Sequence, residues 1–288
     1  MERTPQSTTI AHMKPIIPPT ELAQLLQSWP DLVLLDARPG NAAYAASHLS
    51  GARHADLDTQ LSAARDEDAD PARGGRHPLP PLDRWLSLLG RWGISPETKV
   101  VIYDDANGAN AAARAWWMLR AIGHRDVAVL DGGFAAAVEE GLITSSDEPR
   151  VDAQPPYPAT SWQSPTVDME RVDTLRNDDR WRVLDVRSRE RYRGETEPID
   201  PVAGRIPGAI NLPFAENLEN GRFKSPDVLR AQYQELFGAT PVDHVVVHCG
   251  SGVTACHTLL ALEHAGLTGA SLYVGSWSEW CRNEKPRD

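Results

Sequence analysis

Cysteine is scarce in this chain: its 288 residues contain three, and Cys249, Cys256 and Cys281 all fall near the C-terminal end. A secreted domain stapled by disulfides spreads its cysteines along the fold, so this distribution points to a reducing, cytoplasmic setting. No Cys-x2-4-Cys pair occurs, and the spacing of His248, Cys249, Cys256 and His257 fits none of the usual zinc patterns. Neither a metal nor another cofactor is expected. Basic residues are also in the minority, with 29 Lys and Arg against 40 Asp and Glu, a formal charge of −11. That balance argues against nucleic acid or an anionic membrane as the main partner, although a local cradle can still hold an anionic substrate. No apolar run approaches the ~20 residues of a spanning helix. The polar residues 1–14 read as a disordered lead-in without a signal peptide.

What is present is a repeat. Leu34-Leu35-Asp36-Ala37-Arg38 returns as Val183-Leu184-Asp185-Val186-Arg187, and His48-Leu49-Ser50-Gly51-Ala52 as Arg205-Ile206-Pro207-Gly208-Ala209. Val100-Val101-Ile102-Tyr103-Asp104 returns as Val245-Val246-Val247-His248-Cys249, and Leu130-Asp131-Gly132-Gly133-Phe134 as Tyr273-Val274-Gly275-Ser276-Trp277. Four matches in one order predict two homologous α/β domains, each with a short, mostly parallel sheet and helices on both faces. A Ser-, Asp-, Gln- and Pro-rich stretch parts them, which sets the expected boundaries: lead-in 1–14, first domain 15–145, linker 146–165, second domain 166–288. Within the first half, the pattern predicts a helix over residues 20–28 capped by Thr20 and another over 82–92. Residues 62–81, rich in charge, Pro and Gly, read as a long surface excursion of the kind that often carries function. Trp116, Trp117, Trp277 and Trp280 are read as core.

The stretch over residues 244–257 is where chemistry is expected. A three-valine strand ends at Cys249, and Gly250-Ser251-Gly252-Val253 turns into a helix-compatible run from Thr254. Such a turn aims backbone N–H groups inward and adds the field of a helix N-terminus, so the site favours an anion. A thiolate is such an anion, and Cys249 is the expected nucleophile. The first half has Asp104 at the matching position, so only the second half can work through sulfur. His248 neighbours Cys249 along a strand end and is expected to point to the opposite face. Cys256, further along the helix, is read as a buried structural cysteine.

Asp-x-Arg after a strand, Pro-Gly-Ala, Cys-Gly-Ser-Gly-Val-Thr-Ala and Gly-Ser-Trp-Ser-Glu-Trp together resemble the rhodanese superfamily, and more narrowly its two-domain 3-mercaptopyruvate sulfurtransferases. The resemblance covers residues 15–283 and implies tandem rhodanese-like domains and sulfur transfer through a Cys249 persulfide with release of pyruvate. It implies a small-molecule sulfur donor, a thiol acceptor such as thioredoxin, and a monomer or weak dimer. In that family, basic residues after the cysteine go with thiosulfate as donor. Gly250 and Ser251 keep the charge beside the nucleophile low and favour a monoanionic keto acid.

The resemblance also implies a set of site residues. Arg187 is expected to grip the donor's carboxylate as a bidentate fork, with Arg191, or its rival Arg193, as a second substrate arginine. Ser251 is expected to handle a proton, polarised by Asp58 and His77; an exposed loop histidine is the alternative for His77. Backbone groups of Gly250, Gly252, Val253 and Thr254 are expected to hold the substrate. Three other readings stand beside this one. Thiosulfate:cyanide sulfurtransfer keeps the chemistry and changes the donor. A cysteine phosphatase or arsenate reductase requires Cys-x5-Arg, and here Ala255 occupies the arginine's place. A non-enzymatic sulfur carrier would lack the nucleophile or the arginines.

Overall fold

The computed structural model describes residues 12–109 and 111–288. Val100–Tyr103 and Val245–His248 are buried at every position, as expected of strands covered on both faces. Each is the central strand of a five-stranded parallel sheet. The first sheet runs Arg53–His54, Val33–Asp36, Val100–Tyr103, Val127–Leu130, Ile16–Ile17, and the second Ile210–Asn211, Arg182–Asp185, Val245–His248, Ser271–Tyr273, Thr166–Val167. Strand for strand the two orders are the same. The register repeats too, with Asp36 opposite Tyr103 in one sheet and Asp185 opposite His248 in the other.

The helices that follow the two central strands, Ala112–Ala121 and Thr254–His264, pack on one another and join the halves. Their buried faces carry Ala112, Ala115, Ala255 and Ala261, small side chains that let two helix backbones approach closely. One apolar cluster therefore runs through both halves, from Trp85 and Val129 to Val247 and Leu260. Trp116, Trp117, Trp277 and Trp280 are all buried.

One local expectation needs correction. The first helix spans Pro19–Ser28 with Pro18 as its N-cap, so Thr20 lies inside the first turn and does not cap it. Proline at the first helical position has φ already set and lacks an N–H that would otherwise be left without a partner. The second expected helix spans Leu82–Arg91 and buries Trp85, Leu86, Leu88 and Leu89. Residues 146–165 do not hang free. Gln154 N–H donates to Gly90 O (2.8 Å) and Tyr157 N–H to Leu86 O (3.0 Å), which pins the stretch along that helix. Among the described residues no helix is long and apolar enough to cross a membrane.

Candidate active site in the cleft above Cys249

Cys249 is 1% exposed and lies at the floor of a cleft of about 270 Å3. Leu57, Arg76 and His77 of the first half form one wall, and Arg191, Ser251 and Thr254 of the second form the other. The Ser276 hydroxyl accepts the Cys249 N–H (3.1 Å) and donates to Tyr273 O (2.9 Å). From the other side, Trp277 N–H donates to Cys249 O (3.0 Å) and Ser278 N–H to Gly250 O (2.8 Å). The nucleophile's backbone is thereby held on both sides. The N–H groups of Gly250, Ser251 and Val253 donate to no protein group among the described residues, which leaves them for an anion at the start of the Thr254–His264 helix.

Two of the expected catalytic groups arrive from the first half. His77 Nδ1 lies 2.8 Å from Ser251 Oγ, and His77 Nε2 lies 3.4 Å from Asp58 Oδ1. A carboxylate can only accept, so the ring carries its proton on Nε2 and offers Nδ1 to the Ser251 hydroxyl. Burial, aided by the cations Arg114 and Arg76, holds His77 down at about 4, against the pull of Asp58. At neutral pH the imidazole is therefore uncharged, with Nδ1 accepting from the Ser251 hydroxyl. Asp58 itself stands behind His77 and also pairs with Arg65 (2.7 Å).

Arg187 differs from expectation. Arg187 does not reach the cleft: it is 2% exposed and bonds Asp185 through Nε and Nη2, Gly204 O through Nη2 (2.8 Å) and Glu197 through Nη1 (3.3 Å). Its guanidinium lies over the Trp277 ring. Asp36 and Arg38 make the same fork in the first half, with Arg38 over Phe134. Asp-x-Arg is thus a buried staple present in both copies, and its recurrence beside the non-sulfur loop was the signal that it is structural. Arg191 is the arginine that lines the cleft, while Arg193 is mostly exposed and faces Glu195.

Arg76 also lines the cleft, and sequence reasoning missed it. A Cβ built on Gly250 would come within 3.3 Å of Arg191 Nη2 and 3.4 Å of Arg76 Nη2. Two guanidiniums from distant parts of the chain thus converge over Gly250, although Gly250 and Ser251 themselves bring no charge. Gly252 shapes the turn: it is left-handed (φ 75°), a Cβ there would collide with the Val274 carbonyl, and its own carbonyl accepts from Arg114 Nη1 (3.2 Å).

His248 is fully buried, its Nε2 turned toward Asp185 and its ring beside Tyr273. Burial pushes the Cys256 thiol up to about 12, and that thiol donates to Gly252 O (3.3 Å). Arg114, wholly buried in the helix junction, donates to both Gly252 O and His77 O (3.1 Å). A larger hollow near Arg53 and Arg150 has no cysteine among its described lining residues.

A family model described as a rhodanese-like domain matches the chain twice, over residues 18–140 and 168–283. A Pseudomonas aeruginosa protein named as a probable 3-mercaptopyruvate sulfurtransferase is 42% identical over 265 residues, 88% of this chain and 90% of that one. The thiosulfate sulfurtransferase of Rattus norvegicus is 35% identical over 272 residues, 89% of this chain and 87% of that one. Among solved structures, the 3-mercaptopyruvate sulfurtransferase from Leishmania major superposes with a TM-score of 0.78 at 30% identity, covering 93% of this chain and 74% of that one. Both halves of the chain, the one with the cysteine and the one without, belong to the rhodanese family.

Proposed function

We propose that the protein is a sulfurtransferase that takes sulfur from 3-mercaptopyruvate onto Cys249 and passes it to a thiol acceptor. The observation that carries this reading is the hydrogen bond from Ser251 to His77, which brings proton-handling groups of both halves beside a buried cysteine.

In the first step the Cys249 thiolate attacks the donor's sulfur. The new S–S bond forms as the carbon–sulfur bond breaks, and the electron pair leaves on carbon as the enolate of pyruvate. The proton from the donor's thiol ends on that carbon, and Ser251, backed by neutral His77 and Asp58, is positioned to move it. In the second step an acceptor thiolate attacks the outer sulfur and returns Cys249 as a thiolate. The N–H groups of the 250–253 turn stabilise negative charge in both steps. A reduced thioredoxin or a small thiol suits the acceptor role. Three free, buried cysteines suit a reducing compartment such as the cytoplasm, where the protein would work as a monomer or weak dimer.

A thiosulfate donor is the second reading, favoured by the two guanidiniums over Gly250 and by the rat relative. The test compares kcat/KM for 3-mercaptopyruvate and thiosulfate in the wild type and in Cys249→Ser, with intact mass after single turnover. The expected result is a preference for mercaptopyruvate, one added sulfur on the wild type and none on the variant. Equal or better efficiency with thiosulfate would overturn the donor, and an active variant would overturn the mechanism.

A further inference from the structure

The second guanidinium over Gly250 comes from the half that lacks the cysteine. Residues 72–76 cross onto the second half and are fastened there through backbone atoms. Gly74 N–H donates to Glu279 Oε1 (2.7 Å), Arg76 N–H to Ser278 Oγ (2.9 Å), and Asn283 Nδ2 donates to Ala72 O (2.9 Å). Gly75 sits so close to Gly275 O that a Cβ would collide with it. The placement of Arg76 is therefore set by the second half, with its side chain left to project into the cleft.

Asp200 governs where that side chain ends. It is buried, and its Oδ1 takes both Arg76 Nη1 and Arg282 Nη1 (2.8 Å for Arg282). Its Oδ2 has no hydrogen-bond partner among the described residues and lies 3.6 Å from Arg191 Nη2. Arg191 is held on its other side by Glu197 (2.7 and 2.9 Å). Arg76, Arg187, Arg191 and Arg282 face Asp185, Glu197 and Asp200 in one connected network. Four cations against three anions leave one positive charge, the complement of a single carboxylate.

We propose that Arg76 is the second arm of a clamp that grips the anionic end of the sulfur donor between the two halves, with Arg191 as the first arm and Asp200 as the positioning residue that aims both. This rests on the donor-binding reading above. Planar guanidiniums on two sides of one carboxylate exploit fork geometry that a lysine cannot reproduce. The clamp holds the end of the donor remote from the reacting sulfur, so it binds ground state and transition state alike and acts on KM more than on kcat.

The experiment is steady-state kinetics of the wild type, Arg76→Met, Arg76→Lys and Asp200→Asn with three donors: 3-mercaptopyruvate, thiosulfate, and mercaptoacetone, the keto thiol that lacks the carboxylate. The wild type's choice between the first two tests the donor reading by itself. The clamp is read from the ratio of variant to wild-type KM on whichever anionic donor turns over. Losing a charge-assisted contact should raise that KM roughly 10- to 100-fold in Arg76→Met, with kcat within about 3-fold. Arg76→Lys should fall between, and Asp200→Asn should follow Arg76→Met. With mercaptoacetone the Arg76→Met penalty should vanish. An unchanged KM for the anionic donor in a folded Arg76→Met overturns the clamp. So does an equal penalty on mercaptoacetone, because Arg76 would then act through the shape of the cleft. A KM change below about 2-fold in Asp200→Asn overturns the positioning role.

Discussion

The loop after Tyr103 and the loop after His248 hold the same place in the two halves, but the first reaches its helix only at Ala112 and the second already at Thr254. In the first, the Asp104 carboxylate reaches back into its own loop and accepts the N–H groups of Ala106 (2.9 Å), Gly108 (2.8 Å) and Ala112 (3.2 Å). In the second, Cys249 stops short, and the turn's N–H groups stay open to the cleft. Phe134 N–H holds Asp104 O as Trp277 N–H holds Cys249 O, at 2.9 and 3.0 Å. The comparison teaches that this fold builds an anion site after its central strand in either case. A built-in carboxylate closes the site, and a shorter thiol leaves it for a substrate.

Giving the second loop the carboxylate of the first is the hardest test of that comparison. Cys249→Asp should lose sulfur transfer by roughly 10^4-fold or more, since neither of the other two cysteines lines the cleft. Its melting temperature should hold or rise as the carboxylate takes up loop N–H groups. A large loss of stability in this variant would show that the two turns are not equivalent. The converse change, Asp104→Ala, should cost about 2–4 kcal/mol in denaturant unfolding, because several buried N–H groups lose a charged acceptor. In the fully folded variant kcat should change little, which separates the stabilising loop from the reacting one.

A third test uses acid. Burial holds His77, His124 and His257 each at about 4, below the ordinary 6.5. The unfolded chain therefore binds protons before the folded one, and stability should fall as pH drops from about 6.5 to about 4, by up to roughly 3 kcal/mol per histidine. His257 ties the two loops together: its Nε2 donates to Asn107 O (3.1 Å), so its Nδ1 accepts from Asn217 (3.2 Å) and has no room for a second proton. Melting curves of His257→Gln between pH 7 and pH 4.5 should be flatter than those of the wild type. Parallel curves would remove His257 as a source of the acid sensitivity.

The sequence made the doubled sheet and the Cys249 turn legible because both are written in contiguous residues: a valine run, a Gly-rich turn and a helix start, each repeated. His77 and Asp58 were legible only through the resemblance, since their meeting with Ser251 depends on how one half docks on the other. Arg187 was misread for the same reason. In Arg187-Ser188-Arg189-Glu190-Arg191-Tyr192-Arg193 spacing cannot say which guanidinium finds a carboxylate first. Arg187 is consumed by Asp185 and Gly204 O, whereas Arg191, though paired with Glu197, still lines the cleft. Arg76 was hidden in a stretch read as surface excursion, because residues 72–76 gain their order only from Ser278, Glu279 and Asn283 of the other half.

Arg114 gives the junction a further consequence. One side chain, in a helix that touches no substrate, holds both the nucleophile's turn through Gly252 and the imidazole's loop through His77. In the proposed mechanism that reach sets the gap between Ser251 and His77, so warming that loosens the joint should slow turnover while both sheets are still intact.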